Sequence, residues 1–76
     1  MRIIKIVPLK NYILQIEFDD GKKGIIDISP YLQYEAFEPL RNEEEFLKIS
    51  NGGYYIEWEC GADLSIDTIS EKLQAA

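Results

Sequence analysis

Carboxylates are the only abundant groups in this chain able to move a proton or hold a cation. Asp63, Asp67 and Glu71 stand four residues apart and would line one side of a helix that began early. Oxygen ligands suit Mg²⁺ or Ca²⁺, but no twelve-residue calcium loop is present. Asp63 and Asp67 more simply bring negative charge to a helix start. Asp27, between Ile26 and Ile28, would form a general acid/base pair with Asp63 only if burial raised one pKa toward neutrality. Side chains that bond nearby backbone amides are the plainer expectation for both, with Asp63 a loop-fixing acceptor near a helix start.

The chain contains no histidine, and Cys60 is its only cysteine. Ser-His and Cys-His nucleophile pairs are therefore absent, as are imidazole metal sites. One thiol closes no internal disulfide. No Lys or Arg flanks Cys60 to lower its pKa, and alternation puts it on the inward face of a strand, where free cysteines are commonly inert. Gly52, Gly53 and Gly61 match no phosphate-binding fingerprint and read as turn residues. No catalytic, cofactor-binding or metal-ligating residue is assigned; a non-enzymatic chain with no cofactor is expected.

Seventy-six residues make one domain, 1–76, with 46% hydrophobic residues, one tryptophan, five tyrosines and three phenylalanines. No apolar run approaches the roughly eighteen residues of a membrane span. The opening run Met1 to Val7 is too short for a signal peptide before Pro8 and Lys10 interrupt it. A cytoplasmic protein is the expectation. Fourteen acidic and eight basic residues leave a net charge of −6. The basic residues are scattered, so direct nucleic-acid binding is not expected. A basic protein partner fits the charge, as does a surface made acidic for solubility alone.

The elements that must position these residues read as α+β. Arg2 to Val7 form a first strand, and Pro8 to Asn11 turn the chain. Tyr12, Leu14, Ile16 and Phe18 then alternate with Gln15, Glu17 and Asp19. A two-residue Asp20-Gly21 loop would set Leu14 against Asp27. A three-residue loop, with Gly21 in a left-handed position, sets Leu14 against Ile26, Tyr12 against Ile28 and Glu17 against Lys23. The longer loop is the expectation. Ser29 caps a short turn with Pro30 at its first position. Asn42 caps a helix running through Ile49, with Glu43, Glu44 and Glu45 in its first turn and Phe46 and Ile49 facing inward. After Asn51-Gly52-Gly53 a later strand turns Tyr54, Ile56, Trp58 and Cys60 to the core and Tyr55, Glu57 and Glu59 to solvent. The last helix starts at a Ser65 cap, with Leu64 and Ile69 at hydrophobic-staple spacing and Ile66, Ile69 and Leu73 on one face. Gln74 to Ala76 should fray. The expected architecture is a small antiparallel sheet, a β-meander plus the later strand, with short helices and a C-terminal helix.

Tyr31, Tyr34 and Tyr55 cannot all be core in so small a domain, and tyrosine is favoured at interfaces. With Glu57 and Glu59 they make the candidate interaction surface.

The order of signals resembles a bacterial family known as domain of unknown function 2442. Val7-Pro8, Tyr12-x-Leu14, Phe18-x-x-Gly21 and Gly24-x-x-Asp27-Ile28 carry the resemblance, with Phe37-x-Pro39-Leu40, Phe46, Ile56-x-Trp58 and Gly61-Ala62-Asp63-Leu64-Ser65. Glu59-Cys60 stands where the family pattern has proline after the tryptophan. The resemblance implies a compact α+β domain with strands before a C-terminal helix. Some similar proteins carry an added helix-turn-helix domain, and others are encoded beside a second small protein, as in toxin–antitoxin pairs. It implies no catalytic residue. The combined expectation is a small interaction module, the antitoxin-like member of a two-gene pair, binding a small basic protein through a sheet edge or the tyrosine and acidic surface. A self-dimer through an uncovered edge is also open. The alternative is a small-ligand sensor without an output domain, its pocket lined by Tyr12, Trp58 and Tyr54.

Overall fold

The computed structural model describes residues 1–75 as two small antiparallel sheets joined by short helical segments. The α+β class is as expected. The first sheet begins with a meander: β1 (Ile3–Leu9), β2 (Ile13–Phe18) and β3 (Lys23–Asp27). Its register is that of the three-residue loop. Leu14 lies opposite Ile26 and Glu17 opposite Lys23, with Gly21 at φ +89°. The Ile28 N–H donates to the Tyr12 carbonyl at 2.8 Å.

That bond fixes the parity of the ladder. Residues 14 and 16 turn their main-chain groups toward β3, so 13, 15 and 17 turn theirs toward β1. On β1 the groups of Ile6 and Pro8 consequently point outward from the sheet. Proline has no N–H to offer there, and Ile4 is extruded where the register slips between Ile3 and Lys5. The open edge expected for strand addition is blunted at both ends.

The turn from β1 to β2 holds consecutive left-handed residues, Asn11 at φ 63° and Tyr12 at φ 62°. A tyrosine rarely adopts this conformation. Three contacts retain it. The Tyr12 carbonyl accepts from Ile28, its hydroxyl donates to the Arg41 carbonyl, and its ring meets Phe46 edge-on at 5.3 Å.

The segment after β3 is two 3₁₀ turns, Ser29–Gln33 and Glu35–Arg41, that bring Leu40 into the core. Ser29 does not cap the first. Its N–H and Oγ both donate to the Asp27 carboxylate, at 2.9 and 2.7 Å, so the aspartate two residues earlier has captured the hydroxyl. Asn42 does cap, accepting from the Glu44 N–H at 3.0 Å, but helix α1 is the single turn Glu43–Phe46. Ile49, expected at the helix end, begins β4 (Ile49–Asn51).

Strand β4 pairs with β5 (Tyr55–Trp58), which pairs with β6 (Asp63–Ser65). The later strand is thus the centre of a three-stranded second sheet. Two alternation readings need correction. Cys60 is exposed, because the chain turns at Glu59-Cys60-Gly61, with Gly61 at φ +99°, and Ala62 takes the buried place instead. Tyr54 is 61% exposed, because the strand begins only after the left-handed turn at Gly53.

Ser65 caps helix α2 (Ile66–Lys72) through the Thr68 N–H, and Leu64 and Ile69 are both buried, as the staple requires. Gln74 and Ala75 do not fray. They form β7 on the edge of β3, pairing with Ile25 and Gly24, while Ala76 lies outside the described residues. Gly24 permits this approach. A β-carbon there would strike the Gln74 carbonyl and come within 2.9 Å of Leu73 Cγ.

Replacing Gly24 with alanine should therefore dislodge β7 and cost about 1–3 kcal/mol, in the range of overpacked sites. Denaturant unfolding would measure the loss, and faster hydrogen exchange at the Ile25 amide would locate it.

Candidate functional site

The outward residues of the second sheet gather most of the candidates. Pairing sets Ser50 against Glu57, Glu57 against Asp63 and Tyr55 against Ser65. The Glu59 N–H donates to the Lys48 carbonyl at 2.9 Å, which extends the same alternation by one row. With Ile56 and Trp58 buried, Tyr55, Glu57 and Glu59 share the solvent face with Asp63.

Two carboxylates directly opposite one another destabilise a sheet. Glu57 and Asp63 also oppose each other at a non-hydrogen-bonded position. Ile66 N–H donates to Tyr54 and Trp58 N–H to Ala62, each at 2.8 Å, which leaves the pair between them in the closer arrangement. The one ion pair among the described residues is Lys48–Glu45, at 3.0 Å. Lys48 is held above its ordinary 10.5 first by the hydrogen bond to Glu45, then by the charges of Glu45 and Glu59. Among the described residues no cation pairs with Glu57 or Asp63. Asp63 was expected to fix a loop, but it is a strand residue and no hydrogen bond reaches its carboxylate from a described residue.

Tyr55 covers Gly52, its ring so close that a β-carbon on Gly52 would overlap it. This position was legible only in part. Alternation placed the ring outside, while its contact with the loop glycine depends on the hairpin.

Tyr31 and Tyr34 line a different groove, with Ile26, Asp27, Lys72 and Gln74. Tyr31 is half-buried against Phe37, ring centroids 5.4 Å apart, and Tyr34 is exposed. The five candidate residues therefore divide between two surfaces. The acids considered for a metal do not converge. Asp63 precedes α2 rather than joining it, and no group of three carboxylate or thiol side chains among the described residues meets the geometry of a cation site.

Tyr12, Trp58 and Tyr54 do not enclose a common pocket. The Trp58 indole is wedged between Phe46 and Phe37 and donates to the Phe46 carbonyl at 2.9 Å, while Tyr54 lies outside. No helix among the described residues is long and apolar enough to cross a membrane.

The family model described as "Protein of unknown function (DUF2442)" matches residues 3–75. No curated protein and no solved structure gives a match.

Replacing Asp63 with threonine should stabilise the chain by about 0.2–1 kcal/mol by ending the opposition to Glu57. Thermal unfolding at low and high salt would show it, with the gain shrinking as salt screens the pair. Lys48 makes a second prediction. A lysine whose folded pKa is raised contributes stability fully below its unfolded pKa and loses it as pH rises through the folded value. Lys48→Met should therefore flatten the alkaline limb of stability above pH 10.5, as read from urea midpoints across that range.

Proposed function

This chain belongs to the DUF2442 family, and from that premise we propose that it is a non-enzymatic protein-interaction module. Its partner is a small basic protein, held on the outer face of the second sheet. In a two-gene pair it is the antitoxin-like, acidic member, acting in the cytoplasm.

The observation that carries this reading is the uncompensated opposition of Glu57 and Asp63. The arrangement costs the free protein stability, and an arginine or lysine arriving between the two carboxylates removes the cost. Binding energy is then drawn partly from relief of repulsion. Glu59 extends the negative field toward the hairpin turn. Tyr55 adds an amphipathic ring at the other end, able to cover the aliphatic stem of a bound arginine. The net charge of −6 favours encounter with a basic partner at low salt.

Strand addition is the less favoured mode, because Pro8 and the bulge at Ile4 interrupt the free edge of β1. The ligand-sensor reading has weaker support, since Tyr12, Trp58 and Tyr54 share no cavity.

The test is purification of the tagged chain from its native host, followed by native mass spectrometry. A stoichiometric basic protein should accompany the wild type. Glu57→Lys should remove it while circular dichroism stays native, and raising salt should weaken the complex. A bare chain from both preparations, or a complex indifferent to Glu57→Lys, would overturn the proposal.

A further inference from the structure

Asn51 ends β4, and the glycine that follows it opens the turn into β5. Asparagine before glycine has a reaction of its own, because no side chain hinders approach of the glycine nitrogen. The Gly52 nitrogen releases its proton to solvent base and forms a bond to Asn51 Cγ. The side-chain nitrogen takes up a proton and leaves as ammonia. Water then opens the resulting succinimide at one carbonyl or the other, giving aspartate or isoaspartate.

Three features of the fold hold that reaction off. The Gly52 N–H, whose proton must be lost, donates to the Tyr55 carbonyl at 2.9 Å, and the Tyr55 ring lies against the same glycine. Asn51 is a strand residue, and an extended backbone turns the following nitrogen away from Cγ. The side-chain amide is held at both ends. Its Oδ1 accepts from the Gly53 N–H at 2.8 Å, and its Nδ2 donates to the Ile3 carbonyl at 2.9 Å. A donor on one side and an acceptor on the other fix which end of the amide is which. The Ile3 N–H, donating to the Gly53 carbonyl at 2.8 Å, completes the clasp.

We propose that Asn51-Gly52 is a masked deamidation site, unmasked when the β4–β5 loop parts from Ile3, and that its product keeps the two apart. Either product puts an oxygen where Nδ2 stood. The carbonyl of Ile3, a buried residue, then loses its donor and faces a carboxylate. Isoaspartate also adds a main-chain methylene, which disturbs the pairing of residue 51 with Ile56. The loss of ammonia is not reversed, so the fraction converted records how long the junction between the sheets has spent open. The reaction needs no partner, and it holds whether or not the acidic face binds one.

The test incubates the full-length chain in mildly alkaline buffer, native and in urea, and follows the tryptic peptide 49–72, in which Asn51 carries the only side-chain amide. Mass spectrometry reads the exchange of amide for acid, and methyl transfer by an isoaspartyl methyltransferase identifies isoaspartate. The unfolded chain should convert, and the native chain at least about tenfold more slowly, since reaction waits for local opening. Gly53→Ala keeps the reacting pair but strains the left-handed turn beside it, and should raise the native rate about fivefold. Asp19→Ala, which frees the Arg2 N–H next to Ile3, should act in the same direction and serves if Gly53→Ala does not fold. Asn51→Asp should lower the urea midpoint and quicken hydrogen exchange at the Ile3 amide. A native chain that converts as fast as the unfolded one, an unfolded chain that stays intact, native rates indifferent to both loosening variants, or an Asn51→Asp variant as stable as the wild type would each overturn the proposal.

Discussion

The buried indole of Trp58 is the constraint on which the two halves of the molecule depend. It is 1% exposed, and its N–H has one acceptor, the Phe46 carbonyl at 2.9 Å. Leaving that donor unpaired in the core would cost about 1–3 kcal/mol, so the position of the one-turn helix α1 is fixed by a strand twelve residues further on. Phe46 then stacks on the indole at 6.2 Å and meets Tyr12 edge-on, which carries the restraint into the first sheet. Phe37 closes the other side at 6.0 Å and brings the 3₁₀ segment with it. Aromatic rings packed this way provide in a small core what a longer chain obtains from many aliphatic contacts.

A second junction lies at Ile3, where polar bonding rather than ring packing joins the sheets. Its N–H donates to the Gly53 carbonyl at 2.8 Å, and the Asn51 side chain donates to its carbonyl at 2.9 Å. The strand start is shared, paired with Phe18 on one side and with the β4–β5 loop on the other. The register slips just beyond Ile3. A strand start bonded into both sheets returns to the β2 ladder with one extra residue, Ile4.

What could be read beforehand divides by the range of the interactions. The Gly21 loop, the Glu17–Lys23 pair, the Asn42 and Ser65 caps and the Leu64–Ile69 staple are settled within a few residues, and alternation or capping chemistry exposes them. Asn42 and the three glutamates after it begin a helix well, and its period runs on to Ile49. That helix stops after one turn, and Ile49 instead pairs with Trp58 at the start of β4. A period of two extended beyond the strand's end puts Cys60 inside, and only the left-handed Gly61 marks that end. The Glu57–Asp63 opposition was out of reach, although both acids were noted. It depends on a β6 that is three residues long and leaves no periodic trace. The separation of Tyr31 and Tyr34 from Tyr55 is likewise a property of the tertiary fold.

Pro8 on the outer edge of β1 has a colloidal meaning as well as a structural one. Sheets that end in a complete row of donors and acceptors are templates for their own kind, and copies can join them without limit. Here an approaching copy finds the bulge at Ile4, then the main-chain groups of Ile6, and at Pro8 a carbonyl with no N–H beside it. The outer edge of β1 is thereby a poor template for edge-to-edge addition of a second copy. On this edge the missing hydrogen of one imino acid removes a bond that an added strand would need.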